Sequence, residues 1–159
     1  MNVIVDTSVW SLVLRRGVPV DDPQAVLLGD MLREGKPIQL VGMVLQEVLQ
    51  GIRNPSEFDW VRTSLEAFPL LWLDRDDFIA AAELWNLCRS HGVQASTTDC
   101  QIAAACLRHD CALLTNDKDF RHIARYSPLQ LVSPPVWAGD ETFSEDWDNP
   151  LDADYDKGE

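Results

Sequence analysis

Short apolar runs alternate along this chain with stretches in which apolar residues recur every three or four positions. The first pattern predicts strands, and the second predicts the inner faces of helices. The predicted strands are Asn2–Val5, Ile38–Val41, Leu70–Leu73, Ala112–Leu114 and Leu129–Val132. Strands that alternate with helices form parallel sheets covered on both faces, so the pattern predicts an α/β fold.

The helical stretches carry start and stop signals of their own. A helix is predicted over 24–34, ended by Gly35, and another from about Asp99 to His109, with Thr97 or Thr98 as its N-cap. Asn54-Pro55 is a strong break that ends an earlier helix. The apolar positions of the other predicted helices are Val9, Leu12 and Val13; Val44, Leu45, Val48 and Leu49; Val61, Leu65 and Phe68; and Phe78, Ala81, Ala82, Trp85 and Cys88.

Length and composition indicate one soluble globular domain. The 159 residues are 46% hydrophobic and 25% charged, which is ordinary for a folded protein with a real core. The N-terminus has no basic segment followed by an apolar stretch, and no apolar run is long enough to span a membrane. We therefore expect a cytoplasmic protein without a membrane partner. Its four cysteines lack CxxC spacing, which favours buried thiols over zinc or disulfides.

The negative charge is concentrated at the C-terminal end. The chain has a net charge of −13, and residues 137–159 carry nine acidic residues and one lysine. This division predicts a folded domain over 1–136 and an acidic, flexible tail over 137–159. An alternative is that the tail aromatics Phe143, Trp147 and Tyr155 dock on the domain, with the acids imitating a phosphate backbone.

Four acidic residues stand where the predicted elements would bring them together. Asp6 and Asp117 follow predicted strands, while Glu47 and Asp99 lie on helices that begin at the same sheet edge. Ligands of open α/β sheets bind at this edge. Clustered carboxylates repel one another unless a cation is present, and oxygen ligands suit Mg²⁺ or Mn²⁺. The hydroxyls of two neighbours could hold water or phosphate oxygens; these are Ser8 and Thr115.

Each acidic residue also has an ordinary structural explanation. Asp6 could end a strand, Asp99 could favour a helix dipole, Asp117 could cap the next helix, and Glu47 could be solvent-exposed. Spacing alone therefore supports a metal site and leaves the substrate open.

Four motifs in order resemble the PIN domain family, and more narrowly VapC-type toxins of bacterial toxin–antitoxin pairs. The resemblance extends from Met1 to about Val132. The motifs are Asp6-Thr7-Ser8, Leu45-Gln46-Glu47-Val48-Leu49-Gln50-Gly51, Thr98-Asp99-Cys100-Gln101-Ile102-Ala103-Ala104 and Leu114-Thr115-Asn116-Asp117-Lys118-Asp119-Phe120.

This resemblance implies a three-layer α/β/α sandwich and a Mg²⁺- or Mn²⁺-dependent endoribonuclease. The family's acidic positions would be Asp6, Glu47, Asp99 and Asp117, with Asp6 and Asp99 as the most direct metal ligands. Ser8 and Thr115 match its accessory hydroxyls, and Asp119 is expected to cap a helix or support the ligands. The implied partners are an RNA substrate, a cognate antitoxin and a second copy of the chain. The acidic tail is not part of the family pattern.

Other functions fit parts of this pattern. One is a PIN-like nuclease of RNA processing that has no antitoxin. Another is a Mg²⁺-binding phosphotransfer or receiver-like domain. Ser8 stands where a phosphatase of this kind would carry a second aspartate, and Asp74 is a poor candidate for a receiver's phospho-acceptor. A third is a binding module without catalysis, which would not need all four acidic residues.

Overall fold

A computed structural model of the chain describes residues 1–14 and 21–133. The predicted tail over 137–159, and the boundary at 136, lie outside the described residues. The elements are β1 (Asn2–Val5), α1 (Thr7–Val13), α2 (Pro23–Arg33), β2 (Ile38–Val41), α3 (Gly42–Leu49), α4 (Pro55–Leu65), β3 (Leu70–Leu71), α5 (Arg75–Ser90), α6 (Thr97–Arg108), β4 (Cys111–Leu114) and α7 (Asp119–Arg125).

The four strands form one parallel sheet in the order β3-β2-β1-β4. The chain steps twice in one direction across the sheet and then crosses back from β3 to β4. Right-handed crossovers therefore place α1–α4 on one face and α5–α6 on the other. The helix contacts agree, since α1 packs on α2 and α3, whereas α5 packs on α6. The predicted α/β/α sandwich with a central parallel sheet is confirmed.

Local polar residues explain where most helices begin. The Asp22 and Asn54 side chains each accept two backbone N–H groups at the starts of α2 and α4, and a proline follows each of them. Asp74 and Asp77 form a reciprocal capping box at the start of α5. Asp74 thus serves as a helix cap, which weighs against the receiver-like alternative.

Three details differ from the sequence predictions. The N-cap of α6 is Ser96 rather than Thr97 or Thr98, so Asp99 lies at the third helical position. Segment 129–132 contributes one isolated parallel bridge, Leu113 to Leu131, rather than a strand. The strand at 70–73 is only two residues long. These elements lie at the two borders of the sheet, where few partners hold extended backbone.

The apolar stripe predicted on α5 is divided between the core and the surface. Ala81 and Cys88 are buried, together with Leu84. Phe78, Ala82 and Trp85 are exposed instead. Periodicity identifies the helix correctly, but it cannot decide which edge of a wide apolar stripe faces the sheet.

The core lies between the sheet and its two helical layers. Its largest fully buried side chains are those of Trp10, Phe120, Ile4, Leu28, Leu65, Ile102, Leu113, Leu114, Ile123, Val5, Val9 and Val41. All four cysteines are free and buried, as predicted. Within residues 1–14 and 21–133, no helix combines the length and apolar character that crossing a bilayer requires.

Candidate metal centre

The predicted acidic residues meet at the carboxyl edge of the two central strands. β1 and β4 pair in register through Val5 and Leu114, so the residues that follow them emerge side by side. The backbone N–H of Asp6 donates to the Leu114 carbonyl at 2.9 Å, which extends the pairing by one step. The parallel sheet therefore brings together two motifs that are more than a hundred positions apart in the sequence.

Two hydroxyls fix the carboxylate of Asp6. Ser8 Oγ and Thr115 Oγ1 donate to Asp6 Oδ2 at 2.8 and 2.9 Å, and the two hydroxyls lie 3.4 Å apart. Both bonds use the same carboxylate oxygen, Oδ2. Asp6 is only 6% exposed, so its charge is held in place by these neighbours rather than by bulk water.

Three further carboxylates form a compact group beside Asp6. One oxygen from each of Asp99, Asp117 and Asp119 can be chosen so that all three lie within 4.8 Å of one another. Thr115 Oγ1 accepts the Asp117 N–H at 2.9 Å, and Asp117 Oδ1 accepts the Asp119 N–H at 2.9 Å. These two bonds curl the chain after β4 so that both aspartates face the start of α6.

The crowding of carboxylates is clearest at Asp99. Its pKa is raised from 3.8 to about 6, chiefly by burial; the bond to Ser96 opposes this rise, and the charges of Asp117, Asp6 and Asp119 add to it. The pKa of Asp119 is also raised, first by burial and then by Asp117. A cation among these groups would relieve the repulsion.

Glu47 reaches the same site from α3. Burial raises the pKa of this carboxyl group, and the charge of Asp6 raises it further. Its Oε1 atom is buried without a hydrogen-bond partner among the described residues. A buried oxygen without a partner is costly in a folded protein unless a proton or a cation satisfies it.

These observations fit a hard divalent cation. The candidate ligands are all carboxylate oxygens, which Mg²⁺ and Mn²⁺ prefer over nitrogen or sulfur. The spacing of the three-aspartate group and the unpartnered oxygen of Glu47 are the features that an ion would satisfy.

The structure places the predicted residues at this edge, but Asp6 and Glu47 lie outside the group of three carboxylates that could share an ion, so the expectation that Asp6 and Asp99 are the most direct ligands stays a prediction. Asp6 lies among hydroxyls, whereas the compact three-acid group consists of Asp99, Asp117 and Asp119. The sequence predicts that Asp119 caps a helix or supports the metal ligands; in the structure it contributes a carboxylate to this group. Sequence reasoning missed Gln24 and Asp22 at the start of α2, which hydrogen-bond to Thr115 and Asn116 respectively. No motif marks them, because the contact is made only in the folded chain.

Comparisons with known proteins found a matching family model and similar proteins. Residues 3–126 match the model of the PIN domain family. The VapC ribonuclease Mb1587 of Mycobacterium bovis is 29% identical over 133 residues, covering 82% of this chain and 98% of that protein. Ribonuclease VapC11 of Mycobacterium tuberculosis matches to the same extent.

Solved structures show the same fold at lower identity. The crystal structure of VapBC2 from Rickettsia felis, bound to a promoter DNA fragment, has a chain that aligns with a TM-score of 0.68 and 16% identity. This alignment covers 83% of the present chain and 98% of the other. The crystal structure of FitAcB from Neisseria gonorrhoeae aligns with a TM-score of 0.63 and 19% identity, over 83% and 97% of the two chains.

Proposed function

Because this chain belongs to the PIN domain family, we propose that it is a metal-dependent endoribonuclease of the VapC type, the toxin of a toxin–antitoxin pair. The observation that carries the proposal is the convergence of Asp6, Glu47, Asp99, Asp117 and Asp119 at one sheet edge. The similarity to VapC ribonucleases over 82% of the chain supports the choice of RNA as the substrate.

Mg²⁺ or Mn²⁺ is the proposed cofactor. Asp99, Asp117 and Asp119 are the residues that would hold it, with Asp6 alongside. When bound, such an ion supplies positive charge for a phosphodiester in displacement and makes water more acidic. Ser8 and Thr115 keep Asp6 in one orientation through their bonds to Oδ2. They thereby hold the acidic edge ready for a ligand.

Glu47 is the proposed proton acceptor. Its Oε1 atom is buried and unpartnered, and its raised pKa moves it towards the range in which a general base is effective near neutral pH. An attacking water would lose its proton to this oxygen as the bond to phosphorus forms. The bond between phosphorus and the 3′ oxygen would break, and this departing oxygen would take a proton from solvent to give a 3′ hydroxyl.

The strongly acidic composition favours a particular kind of RNA recognition. A net charge of −13 gives little non-specific attraction to a phosphate backbone. Specific recognition of a single-stranded loop, through contacts to its bases, is therefore the expected mode. The domain proposed for this activity spans 1–136, with the acidic segment 137–159 as an addition to it.

Two protein partners are part of the proposal. One is a cognate antitoxin, in keeping with the VapBC assemblies whose chains share this fold. The other is a second copy of the chain. We assign the second interface to the exposed apolar side of α5, where Phe78 is 47% and Trp85 37% exposed. Large apolar side chains grouped on a surface are typical of protein interfaces.

The decisive experiment incubates the purified protein with total RNA and Mg²⁺ or EDTA, and then sequences the new RNA ends. We expect cleavage at a small set of loop sites that depends on Mg²⁺. Asp6→Ala should abolish it without unfolding the chain, while Asp59→Asn, a control at an exposed acidic residue of α4, should cleave normally. Cleavage that persists in EDTA or in Asp6→Ala would refute the proposed site.

A further inference from the structure

One peptide group of the site is held at both of its polar ends. The Thr115 carbonyl accepts a hydrogen bond from Gln24 Nε2 at 3.3 Å, and the adjoining Asn116 N–H donates to Ser8 Oγ at 3.0 Å. A carbonyl and the N–H that follows it belong to the same rigid plane. Gln24 and Ser8 therefore fix the orientation of the peptide that joins β4 to the loop carrying Asp117 and Asp119.

A third contact holds the same loop to the start of α2. Asn116 Nδ2 donates to Asp22 Oδ1 at 3.0 Å, and this oxygen also accepts the N–H groups of Gln24 and Ala25. The N-cap of α2 and the acidic loop are thus joined through one carboxylate oxygen. Since α2 is a regular helix packed on α1, it gives the loop a firm support.

The environment of Gln24 indicates a role beyond filling space. The residue is only 3% exposed, and its Oε1 atom is buried without a hydrogen-bond partner among the described residues. An unpartnered buried acceptor lowers stability. Leucine or methionine at this position would bury a similar volume without that penalty. The amide is therefore best explained by what its Nε2 group does, which is to hold the Thr115 carbonyl.

We propose that Gln24 is a positioning residue for the carboxylate site, acting through the Thr115–Asn116 peptide, with Asp22 as a second anchor through Asn116. If the peptide plane rotates, Thr115 Oγ1 no longer meets both Asp6 Oδ2 and the Asp117 N–H. The aspartates of the loop then lose their common orientation towards Asp99. The inference rests on the proposed function only for its effect on RNA cleavage; the geometry it predicts holds in the metal-free protein.

The test uses the full-length chain and the substitution Gln24→Met, which keeps the length of the side chain and removes the donor. In the metal-free protein, amide hydrogen exchange of Asn116 should become about tenfold faster, the factor that corresponds to the loss of one hydrogen bond. The dissociation constant for Mn²⁺ alone, measured by calorimetry, should rise about tenfold, as it does when groups that orient metal ligands are removed.

Two further variants keep the test decisive. Asn116→Ala removes only an exposed contact to Asp22 and should weaken Mn²⁺ binding in the same direction but less. Asn116→Ala also tests the proposal if Gln24→Met does not fold. Met31→Ala is the matched control, because it truncates a buried side chain near the other end of α2. It should lower the melting temperature while leaving Mn²⁺ affinity and Asn116 exchange unchanged.

The outcomes separate this inference from the proposed function. Unchanged Asn116 exchange and Mn²⁺ affinity in Gln24→Met, with only a lower melting temperature as in Met31→Ala, would overturn the positioning role. If Gln24→Met showed faster Asn116 exchange and weaker Mn²⁺ binding, but the wild-type chain cleaved no RNA, the positioning role would be upheld and the ribonuclease function refuted. If the wild-type chain bound no Mn²⁺, the exchange rates alone would decide the positioning role.

Discussion

Asp99 is the residue at which the needs of a metal site and of stability oppose each other most directly. Burial and three neighbouring aspartates raise its pKa to about 6. Between its ordinary value of 3.8 and about 6, the folded state binds a proton more readily than the unfolded state. The stability of the metal-free protein therefore decreases as pH rises through this range, and the charged carboxylate destabilises the fold at neutral pH.

Asp99→Asn should consequently stabilise the metal-free protein at pH 7. The gain expected is on the order of 1 kcal/mol, after allowing for solvent screening of a partly exposed group. The advantage should narrow as the pH approaches 4, where the wild-type side chain is itself protonated when folded. Urea unfolding in EDTA at several pH values measures this.

Adding Mg²⁺ should reverse the order of stability of these two proteins. The ion stabilises the folded wild-type chain by an amount that grows with the logarithm of its concentration above the dissociation constant, whereas Asp99→Asn, which binds the ion more weakly, gains less. If the variant were the less stable protein in EDTA at pH 7, the repulsion among these carboxylates would not be the dominant effect of Asp99.

Thr115 is the second residue whose side chain is expected to serve both the fold and the site. Thr115→Val keeps the shape of the side chain but removes the donor to Asp6 Oδ2 and the acceptor of the Asp117 N–H. We expect the free energy of unfolding to fall by about 1–3 kcal/mol, because buried polar groups lose partners. Mn²⁺ affinity should fall about tenfold.

Thr63→Val, at an exposed position of α4, is the control for this change and should alter neither quantity. Normal Mn²⁺ affinity in Thr115→Val would show that the loop keeps its geometry without the hydroxyl.

At the scale of elements, Asp77 joins the start of α5 to the end of α6. Its Oδ1 atom lies 2.9 Å from both Arg108 Nε and His109 Nε2, and its Oδ2 accepts the Asp74 N–H. Burial works to raise the pKa of Asp77, but the hydrogen bonds from Asp74, Arg108 and His109 together lower it. A lowered pKa means that this carboxylate stabilises the fold above its ordinary value of 3.8 and ceases to do so as the pH falls below it.

Asp77→Asn should lower the free energy of unfolding by about 2–3 kcal/mol at pH 7, since it removes the charge of a buried ion-pair partner. The difference from wild type should shrink as the pH falls below about 4, because the carboxylate of the unfolded chain is protonated first and the folded one, with its lower pKa, only at lower pH. Urea unfolding between pH 3 and pH 7 measures both effects. Asp76→Asn, at an exposed neighbour in the same helical turn, provides the comparison. A difference that stays constant down to pH 3 would show that packing, rather than charge, explains the role of Asp77.

Most elements could be predicted from the sequence because their signals are local. Ile38–Val41 and Asn2–Val5 have the bounds that apolar runs predict, and Gly35, at a φ of 70°, ends the α2 region as expected of a left-handed residue. The segments at the sheet borders were harder to predict. Leu129–Val132 has the apolar pattern of a strand but forms only one bridge to β4.

The site could be predicted only in part, for a similar reason. Asp6 and Asp117 follow strands and Asp99 lies in the first turn of α6, so the sequence predicts their shared sheet edge; Glu47 lies in the second half of α3 and is less directly placed by the pattern. The division between Asp6, which is held by hydroxyls, and the group of three aspartates depends on side-chain packing. The contact of Gln24 with Thr115 spans 91 positions and has no local pattern at all.

At the scale of the whole molecule, the apolar side of α5 stands out against an acidic chain. Phe78 and Trp85, two turns apart on the same side of this helix, are 47% and 37% exposed. Phe78 and Trp85 line an open cavity of about 290 Å³ together with Thr97, Cys100 and Gln101 of α6.

A homodimer formed through this surface makes a sharp prediction for Trp85. Trp85→Ser should convert a dimer into a monomer in light scattering, because it removes a large aromatic side chain of the kind that dominates interface energies. Leu32→Ser is the control, since Leu32 is exposed to a similar degree, 38% against 37%, but lies on α2 on the other face of the sheet. It should leave the mass unchanged.

If Trp85→Ser kept the mass of the wild-type protein, or if Leu32→Ser lowered it, the dimer would have to form elsewhere. The apolar side of α5 would then be left to the other proposed protein partner, the antitoxin, and adding that protein should protect Trp85 from quenching by iodide.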